Sequence, residues 1–121
     1  MFPDNERMAH DFPDDENGDV LRRMKRNGDD LKISRDINFS VVFPSVGEAQ
    51  DVVACVRQLG LKTSVEKSGC VPEAPWDVTV TKHMTPTHED ITEFEEVLDD
   101  MSNPFGGRND GWGCISQPIQ Q

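Results

Sequence analysis

The stretch Trp76-Asp77-Val78-Thr79-Val80-Thr81-Lys82 decides the fold, because alternating apolar and polar side chains are typical of a β-strand with one buried face. The two sides of this strand would be Trp76, Val78 and Val80 against Asp77, Thr79 and Thr81. The stretch Met84-Thr85-Pro86-Thr87-His88 follows, and its threonines and proline are typical of a helix start. The sequence therefore predicts a strand over residues 76–84 that leads directly into a helix.

The same strand-to-helix pattern occurs earlier in the chain. Residues 37–43 alternate in the same way and predict a strand that ends at Pro44. Ser45-Val46-Gly47-Glu48 then has the spacing of a capping box, and the helix it starts would end at Gly60. The apolar stripe of this helix is Val46, Ala49, Val52, Val53, Val56 and Leu59. We also expect Cys55 to be buried beside this stripe.

Further strands are predicted at residues 61–67 and 109–115, which completes the order β-α-β-β-α-β. Right-handed crossovers would place both helices on the same side of the sheet. The predicted fold is therefore α+β and ferredoxin-like, with a four-stranded antiparallel sheet and two helices on one face. An additional N-terminal helix is expected from Asp19 to about Asn27, where Asn-Gly is a common helix end.

Length and charge narrow the function. The 121 residues suffice for one domain, predicted at residues 19–116, with an acidic, loosely ordered arm at 1–18 and a frayed tail at 117–121. The net charge of -11 at pH 7 argues against direct nucleic-acid binding and favours a protein partner with a basic surface. No apolar run is long enough for a membrane span. Three cysteines without CxxC spacing favour the reducing cytoplasm.

The strongest electrostatic signal is an acidic stripe on the helix predicted after Thr87. The stripe consists of Glu89, Glu93, Glu96 and Asp100. Spacings of four, three and four residues place these carboxylates on one side of a helix, opposite its apolar residues. Asp90, Glu95 and Asp99 widen the stripe. No Lys or Arg lies between His83 and Gly107 to neutralise these charges. Like charges four residues apart cost roughly a few tenths of a kcal/mol each, a cost that paired cations could have removed, so we interpret the stripe as a binding face for a basic partner. An ordinary solvated helix face is the alternative.

The last predicted strand contains Asp110-Gly111-Trp112-Gly113. A large ring between two glycines can pack where neighbouring backbone comes close, or can lie at a binding surface. Asp110 and Trp112 therefore join the candidate partner-binding residues, and the sequence leaves open whether Trp112 belongs to the core or to the surface.

The sequence contains no recognisable catalytic, phosphate-binding or metal-binding motif. His83 and His88 are five residues apart and lack the cysteines or carboxylates of a typical zinc site. No glycine-rich phosphate loop and no nucleophile motif occurs. We therefore predict a protein that is not an enzyme, with no catalytic residue, no cofactor and no bound metal.

Several motifs, taken in their order, resemble the family of regulators of ribonuclease activity B (RraB) over roughly residues 19–113. These motifs are Leu21-Arg22-Arg23-Met24, Asn27-Gly28-Asp29-Asp30-Leu31, Phe43-Pro44, Trp76-Asp77-Val78-Thr79-Val80-Thr81-Lys82, Met84-Thr85-Pro86-Thr87-His88 and Asp110-Gly111-Trp112-Gly113. The resemblance implies a bacterial, cytoplasmic α+β protein that binds the C-terminal scaffold half of ribonuclease E. That binding would lower RNA cleavage without blocking the catalytic site directly.

Two other classes of function stay open at this point. A small immunity or antitoxin-like protein could neutralise a basic nuclease by the same charge complementarity. A non-enzymatic module could instead dimerise through the uncovered face of its sheet. We expect a monomer or a weak dimer.

Overall fold

The computed structural model describes residues 12–67 and 71–117. Three helices and four strands alternate along this part of the chain, and a short 3₁₀ turn, Asn103–Phe105, precedes the last strand. In chain order they are α1 (Glu16–Arg26), β1 (Arg35–Phe43), α2 (Val46–Arg57), β2 (Lys62–Lys67), β3 (Trp76–Met84), α3 (His88–Ser102) and β4 (Arg108–Cys114). The cap predicted for α2 is present, since Ser45 accepts from the Glu48 amide. For α3 the sequence left the start open between Thr85-Pro86 and Thr87, and Thr87 is the cap because it accepts from the Asp90 amide.

The strands form one sheet in the order β2-β3-β1-β4, and each neighbouring pair is antiparallel. Phe39 in the central strand β1 lies opposite Val80 of β3 on one side and opposite Trp112 of β4 on the other. Helices α2 and α3 follow β1 and β3, as the β-α-β-β-α-β pattern requires. The predicted α+β fold is confirmed.

The core lies between the sheet and the helices. Its buried apolar residues include Ile37, Phe39, Val41, Phe43, Val78 and Val80 from the strands and Val52, Val56, Ile91 and Leu98 from the helices. The other face of the sheet is mainly polar, as the alternation predicted, although Val42 on this face is buried. There Ser40 donates to Asp77 at 2.6 Å, and Thr81 donates to Asn38 at 2.7 Å.

The apolar side of α2 is narrower than predicted. Val46 at its start is 36% exposed, and Leu59, which follows the last helical residue Arg57, is 57% exposed. The prediction for Cys55 was wrong, since this cysteine is exposed. Position 55 is turned by roughly 100° from the buried Val56, which points its thiol away from the sheet.

Helix α1 begins three residues earlier than the sequence indicated. Asp15 caps it by accepting a hydrogen bond from the Gly18 amide at 2.8 Å. A side chain at position 18 would lie 1.9 Å from the Pro13 carbonyl oxygen, so only glycine fits this first turn. The acidic composition here had indicated an arm. Most of the predicted arm and tail lies outside the described residues.

A buried ion pair joins the connection after α1 to the first residue of β1. Nη1 of Arg35 donates to Oδ2 of Asp29 at 2.8 Å, and the two side chains are only 3% and 2% exposed. Arg35 also donates to the backbone carbonyls of Asp30 and Ile33. The hydrogen bond that Arg35 donates to Asp29 raises the pKa of Arg35. The connection between α1 and β1 is therefore fixed by a charged pair that no periodic pattern in the sequence reveals.

Candidate protein-binding surface

The acidic stripe lies on the solvent side of α3. Ile91, Phe94 and Leu98 point towards the core and are buried. Phe94 packs edge-to-face on Phe39, with 4.8 Å between the ring centroids. The opposite side of the helix carries the exposed side chains of Glu89, Glu93, Glu96 and Asp100. Within residues 12–67 and 71–117, no basic nitrogen lies within 4.0 Å of these four carboxylates.

The charges near the C-terminal end of α3 are arranged against the stability of the helix, whereas Glu89 and Asp90 lie in its first turn. Its 15 residues contain seven acidic side chains and no Lys or Arg. Asp99 and Asp100 lie in the last turn, where the helix dipole disfavours negative charge. Burial raises the pKa of Asp99, and the neighbouring charges of Glu95 and Asp100 raise it further. Near its C-terminal end the helix thus keeps carboxylates that do not stabilise it.

A β-bulge in β4 sets the positions of Asp110 and Trp112. Asp110 and Gly111 both lie opposite the single residue Ser40, because the register between the strands shifts by one residue after Phe39. Gly111 has φ of 96°, in the left-handed region that favours glycine. After the bulge Trp112 is opposite Phe39 and therefore on the helix-covered face.

Trp112 belongs to both the core and the surface. Its ring is half-buried and packs against the core cluster. Its Nε1 donates to Oδ1 of Asn17 at 2.9 Å, which fixes the indole towards the first turn of α1. The question that the sequence left open is therefore answered by an aromatic side chain at the edge of the core with part of its surface accessible.

Glu95 connects three elements instead of widening the acidic stripe. One carboxylate oxygen accepts from Nδ2 of Asn17 at 2.7 Å, and the other accepts from Nδ2 of Asn109 at 2.8 Å. Glu95 follows the buried Phe94, so it is turned by roughly 100° towards α1 and not towards solvent. The interpretation of Glu95 as part of the stripe was wrong, because its charge is used in a hydrogen-bond network between α1, α3 and β4.

A groove of about 480 Å³ lies beside this network. The N-terminal turn of α1, Thr92 and Glu95 of α3, and residues 109–112 of β4 form its walls. Two predicted candidates, Asp110 and Trp112, come together here. The stripe of Glu89, Glu93, Glu96 and Asp100 lies on the adjoining side of α3 and does not line the groove. The candidates thus form two neighbouring parts of one acidic surface.

At Asp15, which lines the groove, the starts of two helices are in contact. Nε2 of His88, the first residue of α3, lies 2.8 Å from Oδ2 of Asp15, the cap of α1. The Gly18 amide lowers the pKa of Asp15 most, and the hydrogen bond with His88 lowers it further. Asp15 is therefore occupied by structural partners and is not a free charge.

On its other flank α3 contacts a cation that the sequence analysis overlooked. Nζ of Lys82 lies 4.6 Å from the centroid of the Phe94 ring. Lys82, Asp90, Glu93 and Val97 also line a shallow groove of about 280 Å³. The sequence between His83 and Gly107 contains no Lys or Arg and so gave no sign of a cation at α3. Lys82 reaches the helix from β3.

The two histidines among the described residues, His83 and His88, have carboxylate partners. Nδ1 of His83 lies 3.0 Å from Asp36, and His88 contacts Asp15. In the part of the chain that the structure describes, no group of three or more His, Cys, Asp or Glu side chains could hold a metal ion. None of the helices described is both long and apolar enough to cross a bilayer.

Fold and surface together define a class of protein: a small α+β domain with a strongly acidic helix beside an aromatic groove. The family model described as Regulator of ribonuclease activity B (RraB) matches residues 14–114. The chain therefore belongs to this family, and the resemblance drawn from the ordered motifs is confirmed. A search of curated proteins finds no match. Family membership indicates a regulator of ribonuclease activity with a protein partner in RNA degradation.

Proposed function

We propose that this protein inhibits ribonuclease E by docking its acidic surface on the basic C-terminal scaffold region of that enzyme. In this proposal Glu89, Glu93, Glu96 and Asp100 make the electrostatic contact, and Asp110 and Trp112 extend it. The protein acts in the cytoplasm as a binding partner and not as an enzyme.

The observation that carries the proposal is the exposure of four carboxylates on α3 that have no basic partner within 4.0 Å among the described residues. Charges that stabilise a fold are usually paired or placed at the favourable helix end. Asp100 has neither advantage. A basic partner would neutralise the stripe and remove the repulsion along α3. The relief of this repulsion makes the free energy of binding more favourable.

Family membership supports ribonuclease regulation, and the charge supports a protein segment as the direct contact. An RNA-binding scaffold is rich in arginine and lysine, and an acidic domain can occupy that segment in place of RNA. An immunity-like protein directed at another basic nuclease would use the same surface. The alternatives differ in the partner, so the test must vary the partner as well as the surface.

The experiment is a titration of this protein against the C-terminal scaffold segment of ribonuclease E at about 50 mM and about 300 mM salt, where screening differs strongly. We expect saturable binding that weakens at the higher salt, and slower RNA cleavage by full-length ribonuclease E. The catalytic half of ribonuclease E without the scaffold should cleave RNA at the same rate with and without this protein.

The matched variants are the double substitutions Glu93→Lys/Glu96→Lys and Asp51→Lys/Glu66→Lys. Both change the net charge equally, and Asp51 and Glu66 are exposed on α2 and β2, outside the stripe. The first variant should weaken scaffold binding by about tenfold or more, and the second by much less. Equal weakening would show that only net charge matters. Full binding by the first variant would remove the stripe from the proposal.

A further inference from the structure

The groove between α1, α3 and β4 has the composition of a site for one side chain of a partner. Trp112 supplies an accessible aromatic surface, and Glu16 and Asp110 are exposed carboxylates in the same groove. No Lys or Arg is among the described residues that line it. A groove with an aromatic wall and acidic edges favours a cation that has a flat, delocalised face.

The internal hydrogen bonds leave these groups available. Asn17 holds Nε1 of Trp112, and Asn17 and Asn109 satisfy the Glu95 carboxylate. The carboxylates of Glu16 and Asp110 form no hydrogen bond or ion pair among the described residues. The indole is therefore oriented before any partner arrives, while two carboxylates near it remain unpaired. A preorganised site loses little side-chain entropy on binding.

We propose that this groove binds the side chain of an arginine from the basic partner, with the guanidinium against the Trp112 indole and its N–H groups donating to Asp110 and Glu16. The inference rests on the proposed function, because the arginine belongs to the same partner segment that the stripe attracts. The stripe brings the segment near through long-range charge, and the groove selects arginine over lysine. Selection follows from geometry, because an ammonium group cannot stack and donates from a single point.

Fluorescence of Trp112 gives a direct test. The chain has two tryptophans, so the substitution Trp76→Phe leaves Trp112 as the sole tryptophan reporter. The probes are three short peptides of the same Gly-Ser framework that carry arginine, lysine or the neutral arginine isostere citrulline. We expect saturable quenching by the arginine peptide, at least about fivefold weaker binding of the lysine peptide, and no response to the citrulline peptide.

Two further substitutions locate the site. Asp110→Asn, in the same single-tryptophan background, should weaken the arginine peptide several-fold and reduce its advantage over lysine. Asp51→Asn on α2 is the matched control and should leave both affinities unchanged. Thermal unfolding of each variant verifies that the fold is retained, which is expected because both side chains are exposed. Equal affinities for the arginine and lysine peptides would overturn the proposal that the groove binds arginine. An affinity for the arginine peptide that Asp110→Asn does not change would overturn it as well.

Titration with the ribonuclease E scaffold separates this inference from the proposed function. If the wild-type protein binds the scaffold and Asp110→Asn binds it equally well, the arginine groove is wrong, and the proposed function stands with the stripe alone as the contact. If the scaffold does not bind but the arginine peptide still quenches Trp112 selectively, the arginine site is supported and the ribonuclease E proposal fails. The partner is then another arginine-containing protein.

Discussion

The buried pair of Asp29 and Arg35 and the acidic stripe on α3 use charge in opposite ways. In the first region, both charges are almost completely removed from water, and each is bound by its partner at 2.8 Å. In the second region, Glu89, Glu93, Glu96 and Asp100 remain in water with no basic group within 4.0 Å among the described residues. The comparison separates charges that fix the fold from charges that are available to a partner.

The largest expected effect comes from breaking the buried pair. Asp29→Asn leaves the Arg35 guanidinium buried without a counter-charge, which typically destabilises a protein by about 3–5 kcal/mol. We expect a large drop in the unfolding midpoint by chemical denaturation, and weaker scaffold binding only where the protein is unfolded.

The exposed control Asp51→Asn should change stability by less than about 0.5 kcal/mol. The double variant Asp29→Asn/Arg35→Gln removes both charges and should recover part of the loss. If Asp29→Asn were as stable as the control, the pair would not be what fixes α1 to the sheet.

Adjacent residues on α3 allow a sharper version of the comparison. The Glu95 carboxylate accepts hydrogen bonds from Asn17 and Asn109. The carboxylate of the neighbouring Glu96 is exposed and forms no hydrogen bond or ion pair among the described residues. Glu95→Ala should destabilise the fold by about 0.5–1.5 kcal/mol, because Asn109 loses its acceptor on Glu95 and Asn17 keeps only Thr92 as an acceptor for its amide. Glu96→Ala should leave stability nearly unchanged and weaken scaffold binding at low salt.

Denaturant unfolding and scaffold titration of both variants check this pair of outcomes. The comparison fails if the two substitutions affect stability equally. It also fails if Glu95→Ala, measured where it is folded, weakens binding more than Glu96→Ala does.

The same contrast explains how much the sequence could reveal. Alternation in residues 76–84 and the caps at Ser45 and Thr87 are local signals, so the strands, both long helices and the solvent side of α3 could be predicted. The groove could not, since it depends on contacts such as that between Asn17 and Trp112, which are 95 residues apart. Single asparagines in a first turn and at a strand start have no periodicity that would identify them.

Two local errors have the same origin. The early start of α1 depends on Asp15, whose capping role was hidden among other acidic residues. The orientation of Glu95 depends on whether α1 packs against that flank of α3, which helical spacing alone does not indicate. Sequence periodicity thus gives the side of a helix that meets the sheet, and tertiary contacts decide which of the remaining polar residues are free.

The smallest expected effect concerns Asp99, at the border between the two uses of charge. Burial, followed by the charges of Glu95 and Asp100, raises its pKa above the usual 3.8. A raised folded-state pKa means that the ionised form is destabilising, so the cost is fully present above that pKa and disappears as pH falls towards 3.8. Asp99→Asn should therefore stabilise the protein at pH 7, by about 0.3 kcal/mol for one relieved like-charge neighbour.

Thermal unfolding of wild type and Asp99→Asn from pH 7 down to below the usual aspartate pKa tests this sign. We expect the advantage of the variant over the wild type to shrink as Asp99 becomes protonated, and Asp51→Asn is the control for replacing an exposed aspartate. An advantage that persists unchanged in acid would mean that the gain comes from helix propensity or packing. No advantage at pH 7 would mean that solvent screens the repulsion along α3, and the unpaired stripe would then carry little free energy for a basic partner to release.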